Sequence, residues 1–165
     1  GKVHWALKEE DALKEYIVLC RGETPESFVS ERPLTNAKKE PQPARTEFER
    51  IATFSRCSLL MARIQTGRRH QVRRHLSRMA HQVIGCTKYG KGRINNFFRE
   101  NYGLPRLFLH AHRIRFQHPR TEQPLEVLAP LAPDLRAFLN RLPDVPLAEL
   151  EERWGYSLRE EAGEG

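Results

Sequence analysis

The apolar positions along the chain predict several strands and few helices. Tyr16–Cys20 are five apolar residues in a row that stop at Gly22, which is typical of a buried strand. Two further apolar segments flank the short turn Ser55–Arg56 and predict a hairpin. The predicted strands span 16–20, 45–54, 57–65, 81–85, 107–117 and 125–128.

The clearest helical pattern lies over 68–80. Val72, Leu76 and Met79 recur at i, i+4 and i+7 and form one apolar stripe, and Arg73 lies beside that stripe. This helix should therefore pack by one side and present arginines on another. Shorter helical segments are predicted over 8–15, 95–100 and 135–141, the last capped by Pro133 and Asp134.

The order of these elements predicts the fold class. Residues 22–44 contain four prolines among polar residues and predict a long loop or an irregular hairpin. Because hairpins outnumber strand–helix–strand units, we expect an α+β fold with a mixed, mainly antiparallel sheet and flanking helices. The expected organisation is one domain over 1–141 followed by an acidic C-terminal tail over 142–165.

Composition narrows the class of protein. The chain has 165 residues, 39% of them hydrophobic, and a net charge of +7, as expected of one folded basic domain. It has no apolar stretch of the ~18 residues that a membrane span needs, and no apolar signal-peptide core at its start. We therefore expect a cytoplasmic protein without a membrane partner. The three cysteines lack any C-x-x-C pairing, which indicates reduced thiols.

The positive charge is concentrated in residues 50–99, called here the basic interval. It contains twelve Lys and Arg residues and no Asp or Glu. With Arg50 set aside, nine of the remaining eleven are arginines, which suits geometric recognition of phosphates or bases. Such a local field predicts salt-dependent binding of a polyanion. A solvated charged face is the alternative, and a membrane-surface role fits less well.

The densest candidate site lies at Thr66–His75. A strand end, a glycine turn and a helix start bring backbone N–H groups and guanidinium groups together, which favours a phosphate or a carboxylate. Arg73 should reach inward from a packed helix and so needs a specific anionic partner. A structural arginine in an ion pair is the alternative interpretation.

Other kinds of chemistry find little support in the sequence. His70 and His75 are five residues apart on the predicted helix and point away from each other, and no acidic ligand is near, so we expect no metal. The chain has no G-x-S-x-G, G-x-G-x-x-G or Walker motif. We therefore expect no cofactor.

Five short motifs follow one another in a fixed order: KEY at 14–16, ART at 44–46, IQTGRRHQVRRHL at 64–76, HQVIGCTKYG at 81–90 and LHA at 109–111. This order resembles that of the RluA-type pseudouridine synthases, whose patterns are TGRxHQxRxH, GHPIxGDxxYG and LHA. The resemblance covers residues 14–141. The doubled arginines and the segment GRINNFFRENYGL resemble most the tRNA pseudouridine synthase C branch.

The resemblance implies an isomerase that flips a uridine out of RNA, breaks its glycosidic bond and rejoins the uracil through carbon. Tyr16 would stack on the uracil and assist proton transfer, and Arg73 would pair with and orient the catalytic aspartate. The expected partner is RNA, most specifically tRNA, and the expected state is a monomer. The implied RNA contacts are Arg68, Arg69, His70, Gln71, Arg74, Arg78, Lys88 and Tyr89. The first five of these would serve either RNA contacts or the turn itself.

The family's nucleophile is the aspartate of an H-R-L-D motif, which this sequence lacks. Its three aspartates are Asp11, Asp134 and Asp144. We therefore expect the C-terminal portion of the catalytic fold, which binds tRNA but forms no pseudouridine alone. The alternatives are a catalytically inactive RNA-binding relative and a generic basic scaffold. The sequence departs from the family pattern at Gln82, in place of Pro, and at Cys86, in place of Asp. The change at Cys86 removes a polar partner near the pocket and so bears on RNA positioning rather than on the chemistry.

Overall fold

The computed structural model describes residues 12–160, whose centre is a six-stranded sheet. The order of its strands is β2-β5-β6-β1-β7-β8, and every neighbouring pair is antiparallel. The short strands β3 and β4 pair separately in an arm. The strands are β1 (Leu13–Arg21), β2 (Ser27–Ser30), β3 (Leu34–Thr35), β4 (Pro41–Gln42), β5 (Thr46–Phe54), β6 (Cys57–Ile64), β7 (Leu109–Gln117) and β8 (Pro124–Leu128).

Helices cover both faces of this sheet, which confirms the predicted α+β class. They are α1 (Gln71–Arg78), α2 (Gly92–Tyr102), α3 (Pro133–Arg141) and α4 (Leu147–Trp154). Within residues 12–160, no helix combines the length and the apolar character that crossing a bilayer requires.

Alternation along β1 divides the buried residues into two cores. Val18 and Cys20 pack with α1 on one face of the sheet. Ile17 and Leu19 pack with α2, α3 and α4 on the other. Because β1 lies in the middle of the sheet and is buried on both faces, its apolar residues are continuous.

Several predicted boundaries change. Residues 13–15, predicted as helical, begin β1, and residues 8–11 lie outside the described part of the chain. The predicted strand over 81–85 is only an isolated bridge between Cys20 and Val83. Helix α1 begins three residues later than predicted, because His70 has a left-handed backbone (φ 53°) that cannot continue a helix. Of its apolar stripe, Val72 and Leu76 are buried whereas Met79 is half-buried.

Within the segment predicted as an acidic tail, residues up to 160 fold onto the core. Leu150 of α4 and Leu158 after it are each 1% exposed and belong to the same apolar cluster as Phe138. Helix α4 exposes Glu149 and Glu152, so the segment has a charged composition while it buries apolar residues every few positions.

Replacing Leu150 with Ala should therefore lower the free energy of unfolding by about 2–5 kcal/mol, as expected for a leucine removed from a core. Chemical denaturation measures this difference when both proteins are fitted with one shared m-value, the slope of the unfolding free energy against denaturant concentration. Leu128, which is 42% exposed, provides the matched control, and its replacement by Ala should change stability by no more than about 0.5 kcal/mol. Equal effects of the two substitutions would show that α4 does not contribute to the core.

Candidate active-site cleft

A cleft of about 250 Å³ opens between β1, the end of β6 and helix α1. Tyr16 and Arg73 both line it, although they are far apart in the sequence. The structure therefore brings the two predicted catalytic residues to one site. The cleft is lined by Lys14, Tyr16, Ile64, Gly67, Arg68, His70, Gln71, Val72, Arg73 and Leu109.

A β-bulge next to Tyr16 separates the cleft from a charged cluster on the opposite face of the sheet. Tyr16 pairs with Ala111 and Glu15 pairs with Arg113, so His112 is the extra residue of β7. Bulges re-aim side chains and are common beside active sites. Here the bulge lets two consecutive residues of β7, His112 and Arg113, approach the same carboxylate of Glu15.

Glu15 anchors the sheet behind the cleft. Its carboxylate is buried, accepts a hydrogen bond from Arg63 Nε at 2.9 Å, and lies 3.6 Å from His112 Nδ1. The neighbouring His112 ring and the Arg63 guanidinium lower the pKa of Glu15. Although it is next to Tyr16 in sequence, this acid is an ion-pair partner on the far face of the sheet and does not line the cleft.

Arg73 lies in the cleft and forms no ion pair with residues 12–160. Its Nε atom is buried and has no hydrogen-bond partner among residues 12–160. Its guanidinium carbon lies 5.5 Å from the centroid of the Tyr89 ring, within the range of a cation–π contact. Tyr89 OH in turn lies 3.1 Å from His70 Nδ1. An orphaned buried donor is costly, so this arginine is suited to a carboxylate or phosphate from outside the described residues.

The loop over 85–90 positions Tyr89 beneath Arg73. At Gly85 (φ +85°), a Cβ atom would lie 2.5 Å from the carbonyl oxygen of Arg106, so only glycine fits. The side chain of Asn95 accepts a hydrogen bond from Gly85 N and donates one to the carbonyl of Cys86. Cys86 is itself buried, and its Sγ accepts a hydrogen bond from Tyr89 N at 3.4 Å. Cys86, which stands where the family pattern has an aspartate, therefore lies in a structural turn.

The predicted RNA contact His70 lies at the mouth of the cleft, immediately before α1. Burial, followed by the charges of Arg73 and Arg69, lowers the pKa of His70. The ring is therefore neutral near pH 7, and it can accept or donate a hydrogen bond without adding to the local positive charge.

Gln71, predicted to contact RNA or to form part of the turn, lines the cleft but is buried and hydrogen-bonded within the protein. It is 2% exposed, and its amide nitrogen donates to Arg45 O at 2.9 Å and to Thr46 Oγ1 at 3.0 Å. Its amide oxygen accepts from Thr66 Oγ1 at 2.8 Å and from Arg68 N at 3.2 Å. All four hydrogen-bonding positions are used, so Gln71 fixes the start of α1 against β5.

His75 extends the same buried network. Its Nε2 donates to the carbonyl of Arg32 at 2.9 Å, and its Nδ1 accepts from the hydroxyl of Thr46 at 2.8 Å. Burial lowers the pKa of His75, which favours this neutral form. The T-x-x-x-H-Q-x-x-x-H pattern at 66–75 thus serves largely to hold α1 on the sheet.

The remaining predicted RNA contacts surround the cleft. Arg68 Nε donates to Pro43 O at 2.9 Å, and Arg74 donates to the carbonyls of Arg69 and Thr35. These two side chains connect the loop before β5 and the β3–β4 arm to the cleft, and neither forms an ion pair with the described residues 12–160. Three further predicted contacts are exposed around this surface: Arg69, Arg78 and Lys88.

Two of the twelve cations in the basic interval are engaged in ion pairs with acidic side chains. Arg63 pairs with Glu15 and Glu49, and Arg50 pairs with Glu23. Within residues 12–160 the other ten cations of the interval form no ion pair. Ten unpaired cations, several of them around the cleft, leave a strong local positive field.

The lining of the cleft contains no carboxylate from residues 12–160. Asp134 is held by Arg106 at 2.7 Å, and Asp144 accepts hydrogen bonds from the backbone N–H and the hydroxyl of Ser55, each at 2.6 Å. Asp11 lies outside the described residues. The described part of the chain also has no group of three or more His, Cys, Asp or Glu side chains that could hold a metal ion.

Lys14 is a residue of the cleft to which sequence reasoning gave no role. It lies two positions before Tyr16 and therefore on the same face of β1. A Cβ atom on Gly67 would come within 3.1 Å of Lys14 Nζ, so the glycine leaves room for the ammonium group. The period-two rule could have found it once Tyr16 was assigned to the site.

Comparison with known proteins agrees with these features. The model of the family described as RNA pseudouridylate synthase matches residues 2–78. A tRNA pseudouridine synthase C of Vibrio cholerae is 39% identical over 128 residues, which cover 77% of this chain and 50% of that protein. A ribosomal large subunit pseudouridine synthase C of Vibrio vulnificus is 35% identical over 145 residues, which cover 82% of this chain and 46% of that protein.

A solved structure has a similar fold. The structure titled Human RNA Pseudouridylate Synthase Domain Containing 1 superposes with a TM-score of 0.68 at 22% identity, covering 94% of this chain and 70% of that one. This chain spans about half the length of the curated relatives that it matches. With sequence and fold in agreement, the chain belongs to the RNA pseudouridylate synthase family.

Proposed function

We propose that this chain supplies the uridine-binding cleft and the orienting arginine of a pseudouridine synthase that acts on tRNA. One observation carries the proposal: Tyr16 and Arg73, which are 57 residues apart, line one cleft in which the buried Arg73 Nε lacks a partner among residues 12–160. A guanidinium in that position is suited to a carboxylate that must stay ionised and aimed.

In the proposed reaction a uridine leaves its stack and enters the cleft beside Tyr16. The tyrosine ring stacks on the uracil, and its hydroxyl takes part in proton transfer. Arg73 orients the nucleophilic carboxylate as the bond between N1 and the ribose breaks. The uracil then turns and rejoins the same ribose through C5. C5 loses its proton, and the N1 atom released from the ribose gains one. The product is an isomer of the substrate, so the reaction needs no co-reactant.

The nucleophile in this proposal comes from outside residues 12–160. This is supported by the lack of a carboxylate in the described lining, and by the engagement of Asp134 and Asp144 elsewhere. We define the extended chain as this sequence preceded by a segment that carries the family's H-R-L-D motif. The 165-residue chain alone should bind RNA without converting uridine.

The choice of tRNA rests on the positive surface and on relatives. The ten unpaired cations of the basic interval suit a folded polyanion. Both tRNA and ribosomal large subunit pseudouridine synthases are among the matched proteins, and the tRNA enzyme named above shares 39% identity. An unmodified tRNA transcript is therefore the first substrate to test.

Titration of the 165-residue chain with that transcript should give an association constant whose logarithm falls linearly with the logarithm of salt concentration. Arg69→Gln removes an exposed charge beside the cleft and should reduce the slope by about 0.7–0.9. Arg120→Gln, at the exposed turn between β7 and β8, should leave the slope unchanged. A wild-type affinity without salt dependence would contradict the proposal.

One observation favours a second candidate, a catalytically inactive relative that keeps the RNA-binding surface. No carboxylate of residues 12–160 lines the cleft, which is also what a protein without a nucleophile would show. The two candidates differ in one respect: restoring the H-R-L-D segment produces pseudouridine only if the cleft is catalytically competent.

A further inference from the structure

A second and larger cavity lies on the opposite face of the sheet from the cleft. Its volume is about 720 Å³, and the turn between β5 and β6, the end of β1 and helix α2 form its walls. We call it the arginine pocket. Its lining residues are Arg21, Gly22, Ser55, Arg56, Cys57, Arg93, Ile94, Phe97, Phe98, Tyr102, Pro143 and Asp144.

The arginine pocket combines unpaired cations with an exposed aromatic ring. Arg21, Arg56 and Arg93 are exposed, and none forms an ion pair within residues 12–160. Phe97 is 51% exposed, an unusual position for a phenylalanine, and its ring packs edge-on against Phe98 and Tyr102. The outer part of its ring is therefore free to contact a ligand.

The one acid of the arginine pocket is already occupied. Both oxygens of Asp144 accept hydrogen bonds from Ser55, one from its backbone N–H and one from its hydroxyl. The three guanidinium groups therefore outnumber the single carboxylate that the described residues place in the lining, and none of them pairs with it. The charge of the arginine pocket is thus complementary to an anion, and its apolar floor is complementary to a flat ring.

The arginine pocket is separate from the cleft but connected to it by basic residues. Tyr16 and Arg21 are five residues apart on β1, which corresponds to roughly 17 Å along the strand. The segment between Tyr89, beneath Arg73, and Arg93, in the arginine pocket, carries Lys91. A polyanion bound at the cleft could follow this segment to the second cavity.

We infer that the arginine pocket binds an unpaired nucleotide of the substrate RNA, distant from the target uridine, with its base on Phe97 and its phosphates on the arginines. Stacking on aromatic rings combined with arginine contacts is how proteins bind single-stranded nucleic acid. The inference rests on the proposed function, because it takes RNA as the ligand. It adds a second contact that would help to select the RNA.

The test uses the 165-residue chain and the unmodified tRNA transcript. Phe97→Ala should weaken binding by roughly fivefold or more, the loss expected for one base stack, and Phe97→Tyr should restore it. Arg93→Gln should reduce the salt slope by about 0.7–0.9. Arg120→Gln is the matched control for charge, and thermal unfolding verifies that each variant is folded.

Crosslinking with 4-thiouridine-substituted transcript locates the contact independently of affinity. Crosslinks to residues 92–102, in addition to any at 66–78, support the inference. If the wild-type chain binds tRNA but these variants bind equally well and only 66–78 crosslinks, the inference fails while the proposed function stands; the arginine pocket would then serve a protein partner. If the wild-type chain does not bind RNA, both fail.

Discussion

Replacing Arg73 with Ala should lower the rate of pseudouridine formation by the extended chain roughly 10²–10³-fold, the cost of losing one preorganised group at a developing charge. Without the guanidinium, the nucleophilic carboxylate loses both its orientation and the charge that keeps it ionised. Affinity for tRNA should change far less, because many unpaired cations share the binding of the RNA. Single-turnover kinetics with a tRNA transcript separates the two quantities.

Two further variants distinguish orientation from simple charge. Arg73→Lys keeps the positive charge but not the planar fork that binds a carboxylate at two points, so it should not restore the rate. Arg74→Ala, one position along α1, removes a guanidinium that is held by the carbonyls of Arg69 and Thr35. The Arg74→Ala variant should keep at least a tenth of the wild-type rate of pseudouridine formation. An equal loss of rate in Arg73→Ala and Arg74→Ala would show that Arg73 has no special role.

The second large effect is expected at Tyr16. Tyr16→Phe keeps the ring that stacks on the uracil but removes the hydroxyl, so the rate constant should fall about 10²–10⁴-fold, the usual contribution of positioned proton transfer. The affinity for RNA should stay close to that of the wild type. Tyr16→Ala should lose the stacking as well, with a further cost in binding of about 1–3 kcal/mol.

The surroundings of Tyr16 determine the protonation state in which its hydroxyl begins the reaction. Burial raises the pKa of Tyr16, so the phenol stays protonated at neutral pH. Its hydroxyl therefore begins the reaction as a donor, and Lys14 lines the same cleft from the same face of β1. A Tyr16→Phe variant with the wild-type rate would exclude proton transfer by this hydroxyl.

The sheet could be predicted from sequence because its central strands are buried on both faces. The apolar run at Tyr16–Cys20 and the hairpin around Ser55–Arg56 both appear where expected, as β1 and the β5–β6 turn. The bulge at His112 had no signal, because it depends on the register between β1 and β7. Helix α4 was missed because its acidic exposed face dominates its composition.

The candidate site shows a different limit to what can be predicted from sequence. The meeting of Tyr16 and Arg73 was expected from ordered motifs that resemble a family, since spacing alone says nothing about residues 57 positions apart. Gln71 illustrates the opposite: a polar residue inside a binding motif proved to be buried and fully hydrogen-bonded. Whether a polar side chain faces a ligand or a neighbouring strand depends on packing that is set elsewhere in the chain.

The charge of the basic interval could likewise be counted but not mapped from the sequence. Arg63 lies on β6 at a position that faces Glu15 and Glu49, so it contributes to an ion-pair cluster and not to the unpaired charge around the cleft. The arginine pocket also gathers Arg21, which precedes the basic interval, with Arg56 and Arg93 from within it. Tertiary folding thus divides one basic stretch of sequence among two cavities, each a proposed binding site, and a structural network.

The most direct test is to quantify pseudouridine in an unmodified tRNA transcript after incubation with the 165-residue chain and, in parallel, with the extended chain. We predict none from the chain alone, formation by the extended chain, and loss of that activity when the aspartate of the added H-R-L-D motif is replaced by Asn. Pseudouridine formed by the 165-residue chain alone would contradict the assignment of the nucleophile to a segment outside residues 12–160.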